Sequence, residues 1–321
     1  MELNRVAAYH GDGWRFRATS LEEDILSGFG WASYHCDAEW GRLRAVQLYI
    51  PGPAISAIRD PNAVLHLASI DHSQLADQLN RLVKVYESLG VQVRVLPTSI
   101  VDDRRHPNTV FQRDLFFQTR QGAVIARMAS PVRAGEETYS SRSLAAMRVP
   151  IALTVGGRGT FEGADCLWAN PNTVFCGIGK RTNEAGFEQV RHLLHQQGVS
   201  CIPLPIPSTV QHLLGCVQII SPGRALVRGD VVDAELLHGL RVGGLQPVLV
   251  EDSEEVLARQ AFNFVVLSRD AVVMCAEAPQ FRQTLQALQI DVVGVAPVSE
   301  LAKAAGGLGC ATGILHRESA M

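Results

Sequence analysis

The chain has 321 residues, 47% of them hydrophobic and 19% charged, with 29 basic against 32 acidic side chains and a formal net charge of -3. That is ordinary globular composition, with ample material for a sizeable core in one large domain or two. No run of lysine or arginine gives a nucleic-acid footprint, no apolar stretch reaches membrane-spanning length, and the mixed, polar first 17 residues show no charged-then-apolar leader.

Residues 1–40 match no regular pattern, although Phe29, Trp31, Tyr34 and Trp40 suggest an N-terminal extension packed on a body formed by 41–321. From residue 43 onward, strand-like runs alternate with amphipathic helical runs. Strands are expected at 45–50, 92–96, 115–119, 123–128, 166–169, 173–177, 201–204, 217–221, 224–227, 247–250, 263–268, 271–274 and 291–295. Helices are expected at 73–89, 136–146, 184–197, 253–259, 279–288 and 299–303, with Ser73 and Ser253 as N-caps. The repeating unit is two short strands, a helix and another strand, recurring about five times between 43 and 315 without sequence identity among the copies. A closed ring of such αβ modules would bury each module's apolar face and gather loops from distant modules at its centre. A doubly wound open sheet would want a glycine-rich phosphate loop after an early strand. The GGRG at 156–159 fits that poorly, because it precedes a strand and no helix follows directly.

Seven cysteines are scattered along the chain without a CxxC pair, so no zinc site is expected. They read as free thiols of a reducing, cytoplasmic compartment, most of them core filler. Cys310 stands apart in GGLGCATG. Glycines there let the backbone approach closely and expose the thiol, and a strand-like ATGIL run follows. A cysteine nucleophile wants a histidine to manage protons. Of the ten histidines, His212 sits at the mouth of the apolar run HLLGCVQII. His192 and His195 fall in an amphipathic helix, and the rest have no supporting context. A histidine base is usually oriented by a carboxylate, and FEGADCLW offers Glu162 and Asp165. NTVFQRDLFF offers Asp114, an acid between apolar runs that suits a cation or a salt bridge to Arg113.

Taken in order, these segments resemble the guanidino-group-modifying branch of the pentein superfamily, over nearly all of residues 40–315. WGRLRAVQLYIPGP resembles the opening strand, PNTVFQRD the Asn-x-x-Phe-x-x-Asp motif, and EGAD the Glu-Gly-Gly-Asp motif. GIGKRTNEAG resembles the Arg-Thr-Asn segment, HLLGCV the His-Leu strand, and GGLGCAT the Gly-Gly-x-x-Cys-x-Thr terminus. The resemblance implies an α/β pentein fold, a fivefold pseudo-symmetric propeller of ββαβ-type modules around a central site. It implies that Cys310 attacks a guanidinium carbon, that His212 protonates the leaving amine and then activates water, and that Glu162 orients His212. Asp114 would bind the guanidinium nitrogens, with Asp165 beside it. Arg133 and Arg181 match arginines that bind a substrate α-carboxylate, and Asn108 matches a substrate-binding asparagine.

The chemistry so implied is hydrolysis of arginine or an N-methylated arginine to citrulline, as in arginine deiminases and dimethylarginine dimethylaminohydrolases. The alternative is amidino transfer to an acceptor amine. Neither needs a metal or organic cofactor, and the expected partner is a small guanidino amino acid, with a homodimer expected by analogy alone. Two departures bear on substrate. Leu214 stands two residues after His212, where arginine deiminases place an aspartate. Arg113 stands before Asp114, where dimethylarginine hydrolases usually carry an acid.

Overall fold

The structure, a computed structural model, describes residues 3–320. α1 (Leu21–Ser27) leads by an irregular stretch to β1 (Leu43–Tyr49), α2 (His72–Ser88) and β2 (Gln92–Leu96). Next come α3 (Gln112–Leu115), β3 (Phe116–Thr119), β4 (Gly122–Ile125), α4 (Glu137–Ala146) and β5 (Ile151–Thr154). They are followed by β6 (Cys166–Asn170), β7 (Thr173–Ile178), α5 (Glu184–Gln196) and β8 (Ser200–Pro205). β9 (Val217–Ser221), β10 (Arg224–Arg228), α6 (Ala234–Val242) and β11 (Gln246–Val250) form the next group. After α7 (Glu254–Ala258) come β12 (Val265–Ser268), β13 (Ala271–Cys275), α8 (Pro279–Ala287) and β14 (Asp291–Ala296). The chain finishes through α9 (Ser299–Lys303), α10 (Leu308–Ala311) and β15 (Gly313–Arg317).

These strands make five separate three-stranded sheets. In β3-β4-β5, β6-β7-β8, β9-β10-β11 and β12-β13-β14, an antiparallel pair is extended by a parallel strand reached across a helix. The remaining sheet, β15-β1-β2, repeats that pattern with its first strand taken from the far end of the sequence, pairing Val46 with Ile314. The expected five ββαβ repeats are therefore present, and among the described residues there is no open doubly wound sheet.

Burial orders each sheet. β3, β6 and β9 are buried almost throughout, whereas β5, β8, β11 and β14 are mostly half-buried or exposed. The buried strands touch across modules: β15 meets β3, β6 meets β9, and β9 meets β12. The first strand of each sheet thus lies innermost, and the turn before it opens at the centre of the ring. Outside, amphipathic helices cover the sheets; α2 buries Leu75, Leu79, Leu82 and Tyr86, spaced for one helical face. No described helix is long and apolar enough to cross a membrane.

Local differences from expectation have physical causes. The cap of α2 is Asp71, whose carboxylate accepts from the backbone N–H of Ser73 and Gln74; the Ser73 hydroxyl itself donates to Asp71. Ser253 caps α7 as expected. α6 escapes the helical pattern because Gly239 lowers its intrinsic propensity, yet that glycine lets the helix press on Leu204, whose Cδ2 would lie 2.4 Å from an added Cβ. β5 is a four-residue strand with no fully buried position, too weak a signal to read. Within 3–40, α1 begins at a capping box of Ser20 and Glu23. Trp40 is buried, with Nε1 donating to the Ala169 carbonyl, while Phe29 is 73% exposed.

Candidate active site

Five short turns, one before each innermost strand, supply the polar groups at the ring's centre. Asp114 lies on α3 before β3, and Glu162 opens the 3-10 turn Gly163–Asp165 before β6. His212 precedes the turn Leu213–Gly215 before β9, Asn263 stands just ahead of β12, and Cys310 lies on α10 before β15. Gly163 lets two of these turns meet: a Cβ there would sit 2.2 Å from the Phe116 carbonyl oxygen and 2.6 Å from that of Arg113. A cavity of about 220 Å³ opens on the centre, its wall including Asn108, Asp114, Arg133, Arg181, His212 and Cys310.

His212 Nε2 lies 2.7 Å from Glu162 Oε2, and its Nδ1 lies 3.8 Å from Asp114 Oδ1. Glu162 is fully buried behind the imidazole and also accepts from the Ala129 N–H at 3.1 Å. Arg133 threads between the acids. Its Nη1 is 2.7 Å from Asp114 Oδ2 and 3.6 Å from Glu162 Oε2, its Nε donates to Glu136 at 2.9 Å, and its Nη2 reaches the Asn108 carbonyl at 3.4 Å. Arg181 is more open, with 16% of its side chain exposed; Nη2 donates to Gln211, and Nη1 lies 3.5 Å from Glu162 without forming a hydrogen bond. Asp114 Oδ1 is likewise buried and accepts no hydrogen bond.

These contacts set the protonation states. Burial would disfavour a charged His212, but Asp114, Asp165 and the hydrogen-bonded Glu162 outweigh it and raise its pKa to about 9. Burial would also raise Glu162, and the His212 contact, with Arg133 and Arg181, reverses that and holds it well below the usual carboxylate range. Burial, then the Asp114 charge, pushes the Cys310 thiol up to about 11 against the opposing pull of its hydrogen bonds and Arg133. Burial raises Asp165 and Glu136 to about 7 each, despite their basic partners.

The structure brings Cys310, His212, Asp114, Asn108, Arg133 and Arg181 to one cavity, with Glu162 directly behind His212. Asp165 stands elsewhere than expected. It does not reach the cavity wall; its oxygens accept from the Leu213 N–H at 3.0 Å and the Thr182 hydroxyl at 2.6 Å, so it braces the segment that presents His212. Asn108 spends its side chain on Val64 O and on His66 Nε2. Arg113 turns away from Asp114 and pairs with Glu39 at 2.9 Å. Cys310 takes its hydrogen bond from Asn263, not from His212. The sequence reading missed Glu136, Asn263 and His66. The glycines at 307 and 309 make room for Asn263, because a Cβ on either would press into its side chain, but that pairing cannot be read from the sequence. Among the described residues, Asp114, Glu162 and His212 form the one group with donor atoms close enough, within 4.8 Å, to hold a cation. The Arg133 guanidinium already supplies positive charge there, which disfavours a metal ion.

Comparison with known proteins bears on the fold and the family resemblance. The arginine deiminase family model matches residues 99–214, a stretch that includes Asp114, Glu162 and His212. The N(G),N(G)-dimethylarginine dimethylaminohydrolase of Streptomyces coelicolor is 27% identical over 75% of this chain and 86% of its own length. A dimethylarginine dimethylaminohydrolase from Pseudomonas aeruginosa, solved with citrulline, superposes with a TM-score of 0.69 at 22% identity, covering 84% of this chain and 98% of that one. SxtG, an amidinotransferase from Microseira wollei, superposes with a TM-score of 0.67 at 17% identity, covering 90% and 98%. The chain has the pentein fold and resembles the guanidino-group-modifying enzymes of that superfamily, among them the dimethylarginine dimethylaminohydrolases and arginine deiminases.

Proposed function

We propose that this protein hydrolyses the guanidino group of arginine or an N-substituted arginine to a citrulline-type product, with ammonia or an alkylamine released. The observation that carries this reading is Asp114 Oδ1, a buried carboxylate oxygen that accepts no hydrogen bond and borders the cavity shared by Cys310, His212 and Arg181. A buried acceptor so placed calls for an N–H donor from the substrate. A guanidinium fits because it stays charged at any working pH and offers planar N–H donors.

The steps follow from the residues. Cys310 sulfur, as thiolate, attacks the guanidinium carbon. The carbon–nitrogen bond to the leaving amine breaks as His212, protonated at neutral pH, donates a proton to that nitrogen. Neutral His212 then takes one proton from water, whose oxygen attacks the thiouronium carbon; the carbon–sulfur bond breaks to leave a ureido group and a thiolate, and the second water proton is lost to solvent, where the released amine takes it up. Glu162 keeps the imidazole in place and favours its charged form before attack and after hydrolysis. The high Cys310 pKa makes the thiolate scarce in the resting protein, and a guanidinium beside the sulfur would favour its formation. Arg181, with an unbonded Nη1, suits the substrate α-carboxylate. Arg133 is committed to Asp114 and Glu136, so its part is to balance their charge. Leu214, apolar on the cavity wall, suits an N-alkyl group on the substrate, whereas Arg113, averted to Glu39, stands where dimethylarginine hydrolases usually carry an acid and favours unsubstituted arginine.

Cys310→Ser tests the reading, since a hydroxyl is a far weaker nucleophile in this setting. The variant is expected to keep its melting transition and to form no ureido product from arginine, monomethylarginine or asymmetric dimethylarginine. Turnover retained in the serine variant rules out the covalent route. If the wild type needs an added amine for release, the first half of the scheme stands and the reaction is amidino transfer.

A further inference from the structure

Four of the five inner turns carry a residue with a part in the proposed chemistry, and the fifth, before β12, carries Asn263. Asn263 is 7% exposed and borders the same cavity. Its Oδ1 accepts the Cys310 backbone N–H at 2.9 Å, its Nδ2 donates to the Cys310 sulfur at 2.9 Å, and its carbonyl accepts the Gly309 N–H at 2.9 Å. The neighbouring glycines make room for this approach. A Cβ at 309 would lie 2.8 Å from Asn263 Oδ1, and one at 307 would lie 2.8 Å from Asn263 Cβ. The glycine-rich run ahead of the cysteine therefore admits a particular side chain, besides exposing a thiol.

We propose that Asn263 is a positioning residue for Cys310, its carboxamide gripping the cysteine at two points so that the sulfur faces the cavity and meets an N–H donor when it becomes charged. The proposal rests on Cys310 being the nucleophile. Groups acting on that sulfur come from several turns: Asp114 opposes the thiolate, while Arg133, the backbone at Gly307 and the Asn263 amide favour it, and His212 lines the same cavity. Among the described residues, only the Asn263 amide hydrogen-bonds to both the main chain and the sulfur of Cys310. A purely structural tie for the 306–311 loop would affect stability without moving the ionisation of the thiol.

The test is the pH dependence of Cys310 alkylation by iodoacetamide, in which the thiolate forms a carbon–sulfur bond and iodide leaves. Modification is followed by mass spectrometry of the peptide that carries Cys310, which separates it from the other thiols. Asn263→Ala is expected to slow alkylation at pH 8 roughly ten-fold and to raise the midpoint by about one unit, the scale of one hydrogen bond to a charged group. Asn263→Asp keeps the acceptor for the Cys310 N–H but sets a carboxylate against the sulfur, so its midpoint is expected to rise further. Gly309→Ala, which displaces the amide from the other side, is expected to act in the same direction. A midpoint unchanged from wild type in Asn263→Asp, or in Gly309→Ala if the aspartate variant does not fold, overturns the proposal. The assay uses no guanidino compound, so a wild type inactive on every arginine derivative would count against the proposed function and leave this result independent.

Discussion

Arg133 and Arg181 carry the same charge into the same cavity, and their surroundings give them different work. Arg133 is 3% exposed and bonded to Asp114, Glu136 and the Asn108 carbonyl, so most of its donor capacity is used within the protein. Removing it leaves three buried carboxylates facing one another with less compensation, which costs about 3–5 kcal/mol for a broken buried ion pair. Arg133→Ala should therefore lower the urea unfolding midpoint strongly. Arg181→Ala removes a side chain that ends on Gln211 and on the cavity, and should raise KM at least ten-fold with little change in melting. Stability measured on both variants, with KM on the second, separates the roles. An Arg133→Ala protein as stable as wild type would return that residue to the substrate-binding part first inferred for it.

The elements that matter for function are the turns, not the strands they precede. The turn Gly163–Asp165 is wedged against α3 with no space for a side chain at its first residue. Gly163→Ala should push the Glu162 and Asp114 turns apart, destabilising the protein by about 1–3 kcal/mol as overpacking does and lowering kcat in the folded fraction. Denaturant unfolding alongside kcat at saturating substrate checks this, and an unchanged kcat would mean the two turns are not mechanically linked. Much of this layout is legible in the sequence. Cys310, Glu162, Asp165 and Asp114 are polar residues in apolar or glycine-rich runs, and such placement is informative by itself. Asn263 and Glu136 are not legible, because one reads as the start of a strand and the other as the start of a helix. Their function lies in contacts across 47 and 3 residues, respectively, that only the packed ring reveals. Asp165 shows the converse: its motif is readable, but whether its carboxylate points to ligand or to the Leu213 backbone is a matter of tertiary geometry.

At the scale of the molecule, closure of the ring assembles the site. β15 returns from the end of the chain to pair with β1, carrying Cys310 to the cavity that α3 and the turns before β6 and β9 have formed. Arg317, 1% exposed at the end of β15, donates to the carbonyls of Gly41 at 2.8 Å and Val266 at 2.9 Å, tying the closing strand to the first and last modules. The proposed nucleophile, Cys310, and its proposed proton-handling partner, His212, thus come from modules far apart in sequence, which explains why no local motif contains both. The most direct test of the account is mass spectrometry of the intact protein during incubation with arginine, monomethylarginine and asymmetric dimethylarginine in turn, with assay of ureido product. The account predicts a transient amidino adduct on Cys310 and citrulline from at least one of them. Neither adduct nor citrulline from any of the three would contradict it.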